Sequence, residues 1–316
     1  MHKRFNIFDF FRFIKYSYLP NKNDNFGQVL IKLIFLLSLT AFIVASVYIS
    51  GYFIAAKKQD NIIEDVRNIW HGASSQVIIN ENNEKEVLSP KEILLRQNGD
   101  FKGWIKLGNT KIDNPIYQTD NNEYYLDHNL NRKKSAYGAL YFDCRNTIAN
   151  DRIDQNLVIY GHEMKNGSMF GQLKKLRSLD FYKQNPTIEF STLYSEGTYK
   201  IYSIFVLNAV KADDGGKIYN ILGQDFAIKS GFDRWVNDAL SRSLINTTVD
   251  VEFGDEIITL VTCTDDFPNA RFVVMARKTR ENESTNVDTE GATVNPNPKY
   301  PRRWYEERGL EYPFKN

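Results

Sequence analysis

The stretch "ITLVTCTDDFPNARFVVMARK", residues 258–278, sets two apolar runs around a short polar segment. The first run closes on Cys263 and the second opens on Arg271. Runs of β-branched side chains on either side of a turn cluster containing Pro and Asn read as a hairpin. Such a hairpin brings Arg271 back beside Cys263 despite their separation in sequence. It also leaves the cysteine at the end of its strand, at a rim where a thiol is partly exposed.

The same pattern recurs upstream. "GWIKLG", "NPIYQT", "YGALYFD", "QNLVIYGH", "TIEFST" and "GTYKIYSIFVLNAV" precede "EIITLVTC" and "RFVVMARK", giving eight short strands between Gly103 and Lys278. Eight strands, mostly at hairpin spacing, point to a mainly β domain built as a closed or nearly closed barrel. Two helical patterns interrupt it: "SMFGQLKKLRSL" (168–179) and "FAIKSGFDRWVNDALSRSL" (226–244), the second with Phe226, Phe232, Trp235, Val236 and Leu240 on one face.

Residues 33–56, "LIFLLSLTAFIVASVYISGYFIAA", carry no charge over 24 residues. That length crosses a hydrocarbon core of roughly 30 Å, and it is longer than a signal-peptide core. It reads as an uncleaved transmembrane anchor. Lys3, Arg4, Arg12, Lys15, Lys22 and Lys32 precede it, so the positive-inside rule places residues 1–32 in the cytoplasm and everything after residue 57 outside the cell membrane. The aromatic and basic segment "FNIFDFFRFIKYSYLP" (5–20) fits either the inner membrane surface or a disordered tail.

Residues 57–90 form a juxtamembrane linker, expected as a helix to residue 80 followed by a polar loop, "NENNEKEV" (80–87). Ser89, Pro90 and Glu92 then spell a capping box that opens a short helix. The catalytic domain is expected over 91–280. Beyond it, from 281 to 298, the chain is polar and reads as a spacer. Residues 299–314 carry Trp304, Tyr305, Leu310, Tyr312 and Phe314, compatible with a solvated tail or a docked one.

Composition limits the chemistry. The chain has a formal charge of +1 and no basic run, which gives no reason to propose nucleic acid. Two cysteines form neither a disulfide framework nor a zinc ligand set, and no cofactor motif is present. Outside the cell a free thiol oxidises unless it has a use, and its thiolate is the nucleophilic form. Arg271 cannot act as a base, but it can stabilise an anion. A thiol nucleophile also needs a proton shuttle. Of four histidines, His162 alone ends a buried strand, in "NLVIYGHEMKNGSMFGQL". The apolar strand ends His162 and Cys263 are therefore candidates to meet at one rim.

These motifs resemble the sortase family, and specifically class B sortases, over about residues 91–278. "YGHEMKNGSMFGQL" (160–173) is similar to the family's histidine segment and "TLVTCTDDFPNAR" (259–271) to its TLxTC segment with the following arginine. "YGALYFDCRN" (137–146) is similar to a family strand ending in an acid, an aromatic, Arg and Asn, with Cys144 in the aromatic's place. The helix between the sixth and seventh strands matches class B. The resemblance implies an eight-stranded sortase barrel with N-terminal helices. It implies a cysteine transpeptidase that cleaves a C-terminal sorting signal of secreted proteins after its threonine, and passes the thioacyl product to a peptidoglycan-precursor amine. By position, Cys263 would be the nucleophile, His162 the acid and base, and Arg271 the oxyanion and peptide contact. Thr262 would offer a hydroxyl to the peptide, and Tyr160, Asn122 and Leu126 would line its groove. Alternatives left open are a pilin-polymerising sortase with a lysine acceptor, a wall-binding barrel without catalysis, and a Cys144–Cys263 disulfide that switches the enzyme off.

Overall fold

The computed structural model describes residues 7–72, 76–79, 85–216 and 218–314. Contacts divide the chain into two units, residues 1–60 and 61–316. In the first, helix α1 (Ile7–Tyr18) precedes α2 (Phe26–His71), a helix that ends in the second unit. Asn25 and Gln28 cap the start of α2 reciprocally, each backbone N–H donating to the other's side-chain oxygen at 2.9 Å. Lys32 ties the turn before it, with Nζ donating to the Asp24 carboxylate at 2.9 Å and to Tyr16 O at 2.8 Å. The uncharged stretch 33–56 lies within α2, which is long and apolar enough to cross a membrane. Its side chains face outward, Leu37 and Phe42 being 76% and 70% exposed, unlike those of a core helix. The segment expected at the membrane surface is helical from Ile7; residues 1–6 lie outside the described residues.

In the second unit α2 stops at His71, short of the expected residue 80. Gly72 follows, and the β-branched run β1 (Gln76–Ile79) pairs antiparallel with β2 (Lys85–Leu88) where a loop was expected. Residues 80–84 of that loop lie outside the described residues. Helix α3 (Pro90–Gln97) carries the expected capping box, Ser89 N–H donating to Glu92 Oε2 at 2.7 Å and Glu92 N–H to Ser89 Oγ at 3.3 Å.

The barrel strands are β3 (Phe101–Leu107), β4 (Asp113–Tyr117), β5 (Leu140–Phe142), β6 (Asn156–Tyr160), β7 (Thr187–Thr192), β8 (Glu196–Asn208), β10 (Ile257–Cys263) and β11 (Ala270–Lys278). They close in the order β10-β11-β8-β7-β3-β4-β5-β6. The barrel is mixed: β4 runs parallel to β5, and β6 runs parallel to β10 to close the ring. A parallel pair needs a crossover rather than a tight turn. Residues 118–139 supply one, with a 3₁₀ turn at Tyr124–Leu126.

The 168–179 pattern is not one helix. Met169 has φ +50°, Gly167 has φ +80°, and a Cβ on Gly171 would lie 2.2 Å from Met164 O, so the chain turns tightly there. A 3₁₀ turn (Leu173–Arg177) follows, then α4 (Leu179–Gln184), whose N-cap Ser178 accepts from Phe181 N–H.

Helix α5 (Lys229–Arg242) lies between β8 and β10, as expected, and lays Phe232, Trp235, Val236 and Ala239 on the outer face of the sheet against Phe205, Leu207, Val273 and Met275. After it come β9 (Ile245–Asn246), β12 (Thr293–Val294), paired antiparallel with β9, and α6 (Arg302–Glu306). Residues 279–314 are thus docked rather than a spacer and solvated tail. Arg277, 1% exposed, donates to Glu283 at 2.5 and 2.7 Å, and Lys200 Nζ donates to it at 2.6 Å.

Candidate active site

The hairpin register puts Cys263 directly opposite Arg271, and Arg271 opposite Leu207 on β8. On the other flank, β6 pairs in parallel with β10 up to Tyr160 against Val261. Two bonds extend that pairing by a residue: Gly161 N–H donates to Val261 O at 3.1 Å, and the Thr262 hydroxyl donates to Gly161 O at 2.7 Å. The next residues along the two strands are His162 and Cys263, which this register sets at the same rim. Cys263 is exposed, while His162 and Arg271 are half-buried.

His162 is fixed from behind. Its Nε2 lies 2.7 Å from Leu126 O. A carbonyl only accepts, so Nε2 carries the proton and Nδ1 is the nitrogen left for chemistry. Gly138 makes that contact possible: at φ +57°, a Cβ there would lie 2.4 Å from Tyr125 O, 2.9 Å from Leu126 O and 3.3 Å from His162 Cδ2.

The Arg271 guanidinium donates to its neighbour's carbonyl, Ala270 O, at 3.0 Å, and no ion pair holds it among the described residues. Its remaining N–H groups are available to an anion beside the thiol. Thr264 N–H, next after the cysteine, is used on Ala270 O. The turn between the two arms is braced by Arg177, which pairs with Asp266, donates to Thr264 Oγ1 at 3.0 Å and covers the Phe272 ring at 4.7 Å. Nothing local in the sequence pointed to Arg177, which is remote from the hairpin along the chain.

A cleft of about 640 Å³ adjoins Arg271, walled by Tyr160, Val261, Arg271, Leu207 and Arg145 and by loop residues 209–216 and 218–222, Tyr219 among them. Strand alternation sorts the expected groove residues. Val261 and Cys263 share the cleft face, so Thr262 between them points the other way and is buried, with its hydroxyl bonded inward. Thr262 is thus turned from the position expected of a peptide contact, and Val261 stands there instead; the same period-two reading of the sequence selects it. Leu126 is 42% exposed on the histidine side. Asn122 has its amide committed: Nδ2 donates to Asp143 Oδ2 at 3.1 Å and Oδ1 accepts from Cys144 N–H at 2.7 Å.

Asp143, fully buried, ties this wall together. It accepts from Tyr160 OH at 2.9 Å and from Arg145 Nε and Nη2 at 2.8 Å. Burial works to raise its pKa, but the bonds from Arg145 and Tyr160 outweigh it and hold the carboxyl below its ordinary value. The Tyr160 phenol is pushed up by burial and then by the Asp143 charge, so it stays a neutral donor. Cys144 and Cys263 are both free thiols, with no bridge between them.

A thiol, an imidazole with Nδ1 left over, and a guanidinium without an ion pair among the described residues, at one barrel rim, make an arrangement suited to acyl transfer through a thioester. Comparison with known proteins agrees. The sortase domain family matches residues 105–279. Sortase B of Listeria monocytogenes is 28% identical over 247 residues, covering 76% of this chain and 95% of that protein. Sortase B of Staphylococcus aureus is 30% identical over 188 residues, covering 59% and 73%. The structure of a Staphylococcus aureus sortase B–substrate complex superposes with a TM-score of 0.60 at 25% identity, covering 72% of this chain and all of that one. The chain belongs to the sortase family of cysteine transpeptidases, in its class B.

Proposed function

We propose that this transpeptidase is carried on the outer face of a cell membrane by α2 and acts on the C-terminal sorting signal of secreted proteins. The Cys263 thiolate attacks the carbonyl of the signal's threonine, and Arg271 holds the oxyanion that forms. His162, holding at Nδ1 the proton that the Cys263 thiol gave up on becoming a thiolate, passes it to the departing amine as the C–N bond breaks, leaving a thioester on Cys263. The acceptor, an amine of a peptidoglycan precursor, loses a proton to the same nitrogen as it attacks, and the thiolate leaves. The signal lies in the cleft, against Tyr160 and Val261, with Leu126 beside the histidine; Asn122 and Thr262 act from behind, by holding the wall and joining β6 to β10.

The observation that carries this reading is the cross-strand pairing of Cys263 with a guanidinium free of any carboxylate, beside a histidine whose tautomer is set. With this reading go an anchor at 33–56, a linker at 57–90 and a catalytic barrel at 91–280. Incubation with sorting peptides of differing motif, followed by intact-mass measurement, should trap the acyl adduct on the wild-type enzyme and none on Cys263→Ala. An adduct of equal yield on the alanine variant removes the assignment.

A further inference from the structure

The sortase domain match ends at residue 279, yet the chain beyond it climbs back to the catalytic rim. Asn295 N–H donates to Leu244 O, and Lys299 N–H to Ser241 O at the end of α5; Lys299 Nζ also pairs with Asp238 at 3.2 Å. Tyr300 then stacks on Trp304 at 4.0 Å, Arg308 covers the other side of the assembly at 4.1 Å from the Trp304 ring, and Arg302 lies over Tyr312 at 4.7 Å. This folded end touches the loop that walls the cleft. Asp214 sits in that loop, and the hydrogen bond its carboxylate receives among the described residues comes from the backbone N–H of Arg302. Burial raises the Asp214 pKa, so the group is desolvated and depends on that donor. Tyr300, itself buried enough to have its phenol pushed up, feels the charges of Arg177 and Asp266, the brace of the Cys263–Arg271 turn. One segment therefore meets the loop that walls the cleft and lies within electrostatic reach of the brace of the turn.

We propose that residues 299–314 are a positioning strut for the substrate cleft: through Arg302 N–H on Asp214 they hold loop residues 209–216 in place and so set affinity for the sorting peptide, without touching the reacting atoms. The proposal rests on the reading of the cleft as the peptide site. A free loop must be ordered each time the peptide binds, and a preordered one need not be.

The test uses the full-length enzyme, a chain ending at Pro298, Asp214→Ala and Asp214→Asn, with KM and kcat measured separately on a cleaved sorting peptide. Loss of one hydrogen bond of this kind corresponds to a KM rise of about five- to tenfold. The truncated chain and Asp214→Ala should show that rise with kcat within about twofold, the scale of an interaction outside the transition state. Asp214→Asn, which keeps an acceptor, should stay near wild type, and a synthetic 296–316 peptide should restore the truncated chain. Alkylation of Cys263 by a small methanethiosulfonate should proceed at the wild-type rate. An unchanged KM in a folded truncated chain, or in Asp214→Ala should the truncation fail to fold, overturns the strut. A full-length enzyme that acylates with no sorting peptide overturns the function reading instead. In that case hydrogen exchange of 209–216 decides the strut: faster exchange in Asp214→Ala supports it, and unchanged exchange refutes it.

Discussion

Gly138→Ala tests the positioning of His162 without altering any group that reacts. The added methyl meets Tyr125 O at 2.4 Å and Leu126 O at 2.9 Å. A carbon–oxygen contact settles near 3.3 Å, so Tyr125 O must retreat by roughly 0.9 Å and Leu126 O, in the next peptide, by roughly 0.4 Å. Leu126 O is the acceptor that fixes His162 Nε2 at 2.7 Å, so the imidazole follows or loses its partner. A displacement near 1 Å at a reacting group costs about a hundredfold in rate, or about 2.7 kcal/mol. The left-handed backbone at φ +57° adds about 1–2 kcal/mol of destabilisation for an alanine. The expected result is a folded enzyme with a slightly lower melting temperature and kcat on a sorting peptide reduced by one to two orders of magnitude. Acylation measured in a single turnover should slow by the same factor as kcat. A folded Gly138→Ala enzyme with wild-type kcat would refute the view that this carbonyl sets the histidine.

Arg271→Ala should lower kcat by about 10²–10³ with a smaller change in KM, the scale of one lost oxyanion donor; Arg271→Lys should recover only part of it, because a point charge lacks the planar fork. Recovery of full activity by lysine would mean that charge alone matters there. For acid stability, the bonds from Arg277, first, and from Lys200 hold the Glu283 carboxyl well below its ordinary pKa despite partial burial. Its folded pKa is therefore below the unfolded value of about 4.3, so its contribution is complete above that value and disappears as pH falls through the folded one. Glu283→Gln should cost about 1–2 kcal/mol at neutral pH. The gap in melting temperature from wild type should shrink steadily below about pH 4. A gap that does not change with pH would show the network to be held by something other than that charge.

The hairpin at 258–278 was legible because β-branched runs and a Pro–Asn turn leave few alternatives, and its register then follows from the turn. The class of His162 was legible from its place after a buried strand. Thr262 is next to Cys263 in sequence, but strand alternation turns adjacent residues to opposite faces, and its hydroxyl is bonded inward. The wall of the cleft was not legible for a different reason. Asp143 gathers Asn122, Arg145 and Tyr160 from separate segments, and only the crossover between β4 and β5 brings Asn122 within reach. The aromatic end of the chain shows no periodicity because its rings pack mostly on one another, over a five-residue helix, rather than along one face. Its anchor, Asp214, lies 88 residues upstream.

On the proposed mechanism, the bond from His162 Nε2 to Leu126 O also governs the order of events. A ring pinned at one nitrogen exchanges protons through a single port. The amine that departs and the amine that arrives must then stand at the same spot, one after the other. The acceptor cannot wait in place beside the intact signal, so the two half-reactions are separated in time by an emptied berth. Whatever reaches that berth first, amine or water, decides whether the captured protein is joined to its acceptor or merely released.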